Sequence, residues 1–111
     1  MQVRVAKLGV ATYATLEGPL VREQLSHLVD ALREVRDAPE AKVVLDLRHT
    51  PYCDSAGLEF LVDLATELRE SGGSLRLANP NPLCREVLSI TRLDETIPVH
   101  DDLESAGRSF L

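Results

Sequence analysis

No apolar run in this chain approaches the roughly 18 residues needed to cross a membrane; Val43-Val44-Leu45 is typical of the longest. The opening Met1-Gln2-Val3-Arg4-Val5 alternates polar with apolar residues and lacks the apolar centre of a secretion signal. Cysteine is scarce. Cys53 and Cys84 form neither a CxxC pair nor a zinc pattern, and two are too few for a disulfide framework, so free buried thiols in a reducing compartment are expected. His27, His49 and His100 lack i, i+4 spacing and an adjoining acidic motif, which leaves no basis for a metal site. Positive charge is also short: 12 Lys and Arg against 18 Asp and Glu give a net charge of −6, a poor balance for sequence-independent binding of nucleic acid. There is no Walker A loop, no GxGxxG and no histidine at motif spacing from a serine, so neither an enzyme nor a cofactor is expected. What remains is a soluble, cytoplasmic chain of 111 residues, 44% apolar and 27% charged, sized for one domain over residues 1–111.

Periodicity divides that domain into strands and helices. Val3 and Val5, then Val10, Thr12, Ala14 and Leu16, alternate as two strands joined by a turn at Lys7-Leu8-Gly9, and Glu17-Gly18-Pro19 stops the second. Over residues 21 to 37, Leu25, Leu28, Val29, Leu32 and Val35 trace one helical stripe that ends at Ala38-Pro39. Lys42 to Leu47 is a short continuous apolar run, the pattern of a strand buried on both faces at the sheet centre. Leu58, Leu61, Val62, Ala65 and Leu68, widened by Phe60 and Leu64, give a second helix closed by Ser71-Gly72-Gly73. Ser74 to Ala78 alternates as a strand, and Asn81 with Pro82 caps a third helix carrying Leu83, Val87 and Ile90. Thr96-Ile97-Pro98-Val99 is expected as an edge strand because of its proline, and Asp101-Asp102-Leu103-Glu104 as a capping box opening a last helix. The order ββαβαβαβα predicts an α/β fold with a mixed, mostly parallel sheet covered by helices.

In open α/β sheets, sites gather beyond the carboxyl ends of the parallel strands. The central strand ends at Leu47 and the next helix starts near Ser55, so the segment from Arg48 to Asp54 and the pentad Asp54-Ser55-Ala56-Gly57-Leu58 draw attention. Either Asp54 or Ser55 suits an N-cap, and a helix amino terminus with a free serine is also a place where phosphate is well held. Gly57 opposes helix propensity by roughly 1 kcal/mol relative to alanine, a cost explained if something approaches the backbone closely there. Tyr52 reads equally as a packed loop residue or as contact surface, and Glu59 and Asp63 as a solvated helix face or as part of an interface. Asp46, at the end of a buried strand, reads as a structural hydrogen-bond acceptor.

Leu45-Asp46-Leu47, Tyr52-Cys53-Asp54-Ser55-Ala56-Gly57-Leu58 and Gly72-Gly73-Ser74-Leu75-Arg76-Leu77, in this order and spacing, resemble the STAS domain of bacterial anti-sigma-factor antagonists. The likeness extends to Gly18-x-Leu20, Val87-Leu88, Leu93, Ile97 and Asp102-Leu103-Glu104-Ser105-Ala106. The resemblance implies a partner switch. Ser55 matches the serine that is phosphorylated by an anti-sigma factor which is itself a serine kinase; the unphosphorylated antagonist binds that kinase, and a phosphatase resets it. It further implies a partner-binding surface made of Gly18, Pro19, Leu20 and Val21, of Tyr52, Asp54, Ser55, Ala56 and Gly57, and of Glu59 and Asp63. Family members commonly carry an acidic residue just after Gly-x-Leu, where this chain has Val21. The other roles open to such a domain are a non-switching subunit of a lipid-transporting ABC system and a stressosome-like scaffold.

Overall fold

A computed structural model describes residues 1–111. Strands β1 (Gln2–Leu8) and β2 (Ala11–Glu17) pair antiparallel with Leu8 opposite Ala11. The turn is therefore Gly9-Val10 rather than Lys7-Leu8-Gly9. A two-residue connection needs a left-handed first central residue, which Gly9 supplies at φ 61°, and Val10 is drawn from the strand into the turn. Strands β3 (Lys42–His49), β4 (Ser74–Ala78) and β5 (Val99–His100) follow in parallel, giving the order β1-β2-β3-β4-β5. Strand β3 is the centre, and every residue from Val43 to Leu47 is buried, as the apolar run predicts.

The helices are α1 (Leu25–Ala31), α2 (Arg33–Asp37), α3 (Ser55–Glu70), α4 (Pro82–Ile90) and α5 (Leu103–Arg108). Parallel strands paired in chain order, with crossovers of one hand, place all the crossover helices on one face of the sheet. There Leu28, Leu32, Leu61, Leu64, Leu68 and Leu88 pack on Ala14, Leu16, Val43, Leu45, Leu47, Leu75 and Leu77. Strand alternation sends Val44 and Ala78 to the other face, where Ala106 of α5 closes a smaller cluster with Tyr13, Leu103 and Phe110. None of these helices is long and apolar enough to cross a membrane.

Four details differ from the sequence pattern. Residues 21–37 are not one helix: a 3₁₀ turn spans Arg22–Gln24, and Leu32, at φ −99° and ψ 5°, separates α1 from α2. The Leu32 amide still donates to the Leu28 carbonyl at 3.0 Å, so the ladder continues while both leucines stay in the core. The last strand takes only Val99 from the expected Thr96–Val99. Ile97 leaves the sheet to fill the core, and Pro98 precedes the strand, offering its carbonyl to the Leu77 amide at 2.9 Å. At α5 the cap is Asp102, which accepts from the Ser105 amide at 2.7 Å, whereas Asp101 pairs with Arg85 at 2.7 Å. Asn81 caps α4 through the Cys84 amide, with Pro82 in the first turn as expected, but the helix buries Cys84 and Leu88 and leaves Leu83 and Ile90 of the expected stripe exposed.

Candidate functional site

Beyond the carboxyl end of β3 the chain crosses from His49 to Ser55 along a path fixed on both sides. On one side, the Asn81 side chain donates to the Pro51 carbonyl at 3.1 Å and the Cys84 thiol to the Thr50 carbonyl at 3.5 Å. On the other, the segment after β2 extends the sheet: the Gly18 amide donates to the His49 carbonyl at 3.1 Å and the Leu20 amide to the Tyr52 carbonyl at 3.0 Å. The Leu20 carbonyl accepts from the Asp54 amide at 3.1 Å, and Leu20 and Cys53 form a parallel bridge. Two loops far apart in sequence are thus joined by backbone hydrogen bonds. Asp46 lies below them, 4% exposed, and accepts from the Arg48 amide, the Asn79 side chain and the Thr15 hydroxyl, at 3.0, 3.0 and 3.4 Å. It is a structural acceptor, as the burial of a carboxylate requires.

Of the two candidate caps, Asp54 is the one used. Its Oδ1 accepts from the Gly57 amide at 2.8 Å, and its Oδ2 accepts from the Arg22 amide at 3.1 Å, so one carboxylate starts α3 and anchors the 3₁₀ turn. The Gly57 bond first, and the Arg22 bond second, hold its pKa below the ordinary carboxylate value. A depressed native pKa gives stability that is complete above the unfolded carboxylate range and is withdrawn as pH falls through the lower native value. Melting temperature followed downward from about pH 4 is therefore expected to fall more steeply for the wild type than for Asp54→Asn; parallel acid limbs would contradict this.

Asp54 leaves Ser55 free. Ser55 is the first residue of α3, exposed, and its hydroxyl has no hydrogen-bond partner in the chain. Tyr52, at 51% exposure, is surface rather than a packed loop residue, and Glu59 and Asp63 are exposed along α3. Gly18, Pro19, Val21 and Asp54 are half-buried beside them. Three residues expected at the partner surface lie beneath it: Leu20 at 1% exposure, Ala56 and Gly57 are all buried. The reason is the bridge itself. The backbone that comes close to Gly57 is that of Leu20, and a Cβ on Gly57 would stand 2.1 Å from the Leu20 carbonyl oxygen. Packing against its own chain, not the approach of a ligand, accounts for this glycine.

Helical period alone also misassigned one flank of α3. Its buried residues are Ala56, Gly57, Phe60, Leu61, Leu64, Ala65 and Leu68, which turns Leu58 to a half-buried position and leaves Val62 38% exposed. Together with Ser55, Glu59, Asp63, Thr91 and Leu93 they line a groove between α3 and the turn after α4. Thr91 carries no motif and Leu93 figures in the resemblance without any site role, and only the turn after α4 brings them to the site.

The two thiols, both free, are neighbours across the α4 amino terminus. Burial, then proximity to Cys84 and to Asp54, pushes the Cys53 thiol up to about 11. Burial likewise raises that of Cys84. Iodoacetamide at about pH 8 is expected to alkylate Cys53 about a hundredfold more slowly than a free cysteine peptide, because the thiolate is the nucleophile. Rapid labelling by mass spectrometry would refute that.

The STAS domain family matches residues 3–106. The candidate anti-sigma factor antagonist BtrV of Bordetella bronchiseptica is 32% identical over 110 residues, covering 99% of this chain and 95% of that protein. A candidate anti-sigma factor antagonist from Thermotoga maritima superposes with a TM-score of 0.87 at 20% identity, covering 96% of this chain and 92% of the other. A sulfate transporter family protein from Wolinella succinogenes superposes with a TM-score of 0.75 at 22% identity, covering 93% and 85%. The same architecture therefore serves proteins of both kinds, and the fold does not choose between them.

Proposed function

The chain belongs to the STAS family, and from that premise we propose that it is a cytoplasmic anti-sigma-factor antagonist working by partner switching. Unphosphorylated, it binds an anti-sigma factor with serine-kinase activity; phosphorylation of Ser55 releases that partner, and a phosphatase restores the first state. One observation carries the reading: Ser55 alone in the Asp54–Gly57 segment is exposed with an unengaged hydroxyl, because Asp54 has taken the cap. The relative at 32% identity supports the same class of role.

The energetics are local. A phosphoryl group adds about −1.5 to −2 charge, which the α3 amino terminus offsets within the domain. Against a partner lacking a cationic pocket the same dianion is desolvated at a cost of several kcal/mol and occupies space besides. Moving a complex from mostly bound to mostly free takes roughly 5.5 kcal/mol, within reach of one such group at the centre of an interface.

The test is incubation of the chain with its kinase anti-sigma factor and ATP, followed by peptide mass spectrometry. A single phosphopeptide containing Ser55, absent from Ser55→Ala, is expected. Phosphate at another residue, or none from a kinase shown to be active, would overturn the reading.

A further inference from the structure

Beside Ser55 lies a groove of about 330 Å³ whose apolar lining is Leu58, Val62 and Leu93 and whose charged lining is Glu59 and Asp63 alone. No lysine or arginine lines it; Arg92, between Thr91 and Leu93 in the chain, pairs instead with Glu95 at 3.6 Å. Neither acid belongs to an ion pair within the chain, although Glu67 on the same helix is paired with Arg36. Leu58 and Leu93 pack partly against the core, so they form a fixed apolar base, with Val62 left 38% open to solvent. An apolar cleft rimmed by charge of one sign matches an apolar anchor on a segment of the opposite sign.

We propose that this groove seats an apolar side chain on a basic segment of the partner kinase, with its lysines or arginines facing Glu59 and Asp63. The inference rests on the kinase-partner reading above and extends that docking surface to Val62 and the turn after α4. It is compatible with release by phosphate. Glu59 and Asp63 lie four and eight residues beyond Ser55, or about 6 and 12 Å along the helix at its usual rise. A cation opposite Asp63 is therefore too far away to neutralise a phosphate at the mouth of the groove, and one opposite Glu59, a turn from Ser55, is already engaged by that carboxylate, so most of the desolvation cost remains. Recognition and release use different ends of one cleft.

The experiment titrates the kinase that phosphorylates Ser55 against the wild type, Val62→Asp, the double variant Glu59→Lys with Asp63→Lys, and Glu70→Lys, at low and high salt. All four substituted positions are exposed, and melting curves verify each fold. Val62→Asp is expected to weaken binding about tenfold at high salt, as loss of an interface anchor does, and less at low salt, where its added negative charge attracts the basic segment. The double reversal is expected to weaken it tenfold or more at low salt, the difference shrinking as salt screens it. Glu70→Lys, a single reversal of +2 against +4 in the double variant and placed at the far end of α3, is expected to bind as the wild type does. Should Val62→Asp and the double reversal bind normally while the wild type is bound and phosphorylated, the groove assignment is wrong and the proposed function stands. A loss in Glu70→Lys of half the double variant's loss or more, on a logarithmic scale, would mean that net charge, not the groove, is read. A wild type neither bound nor phosphorylated removes the kinase reading, and the groove assignment with it.

Discussion

Gly57→Ala is expected to destabilise the domain by about 3 kcal/mol and lower its melting temperature by about 15 °C. The added methyl would stand 2.1 Å from the Leu20 carbonyl oxygen, and that atom is backbone, so no side-chain rotation relieves the clash. Moving Leu20 away breaks its hydrogen bonds with Tyr52 and Asp54 and withdraws a side chain that is 1% exposed. Two hydrogen bonds contribute about 1 kcal/mol each and a fully buried leucine about 2 kcal/mol or more, against roughly 1 kcal/mol regained in helix propensity. For a domain whose total stability is typically about 5–15 kcal/mol this is a large fraction. Thermal melting followed by circular dichroism checks it; a shift of only a few degrees would mean that the Leu20 segment is held far more loosely than its hydrogen bonds indicate.

Ser55→Asp is expected to weaken binding of the kinase partner by about a hundredfold, near 2.7 kcal/mol, without lowering the melting temperature. The two halves have separate origins. The hydroxyl caps nothing and makes no hydrogen bond within the chain, so its replacement breaks none, and an acid in the first turn of a helix is favoured by the helix dipole. At the interface a single carboxylate reproduces part of the charge and bulk of a phosphate, so the phosphorylated chain itself should bind more weakly still. Calorimetric titration of the three forms gives the order directly. Equal affinities would show that Ser55 is not at the contact, whatever modifies it. A drop in affinity accompanied by a drop in melting temperature would assign the effect to folding.

Much of this architecture was legible because each signal was local. Val43 to Leu47 has the pattern of a strand covered on both sides, Asn81-Pro82 that of a helix start, and Pro98 argues for an edge position. Other features depended on residues distant in sequence. Asp54 and Ser55 are equally good caps by type, and the choice turns in part on the Arg22 amide, which meets Asp54 only in the fold. The cost of Gly57 was visible, but the backbone that imposes it belongs to Leu20. On α3 so many positions are apolar that two overlapping stripes satisfy the helical period. One places Leu58 and Val62 inside, and the sheet beneath α3 selects the other. The same ambiguity concealed the groove.

The parallel bridge between Leu20 and Cys53 also bears on speed. The segment leading to Ser55, stitched to residues 18–20 by backbone hydrogen bonds, leaves little for the domain to rearrange if that residue is modified. No slow isomerisation then stands between the chemical event and its readout. On the proposed function, the tempo of the response, and its memory, would reside in the enzymes that add and remove the group, and this small domain would behave as a passive counter whose setting is legible the instant it is changed.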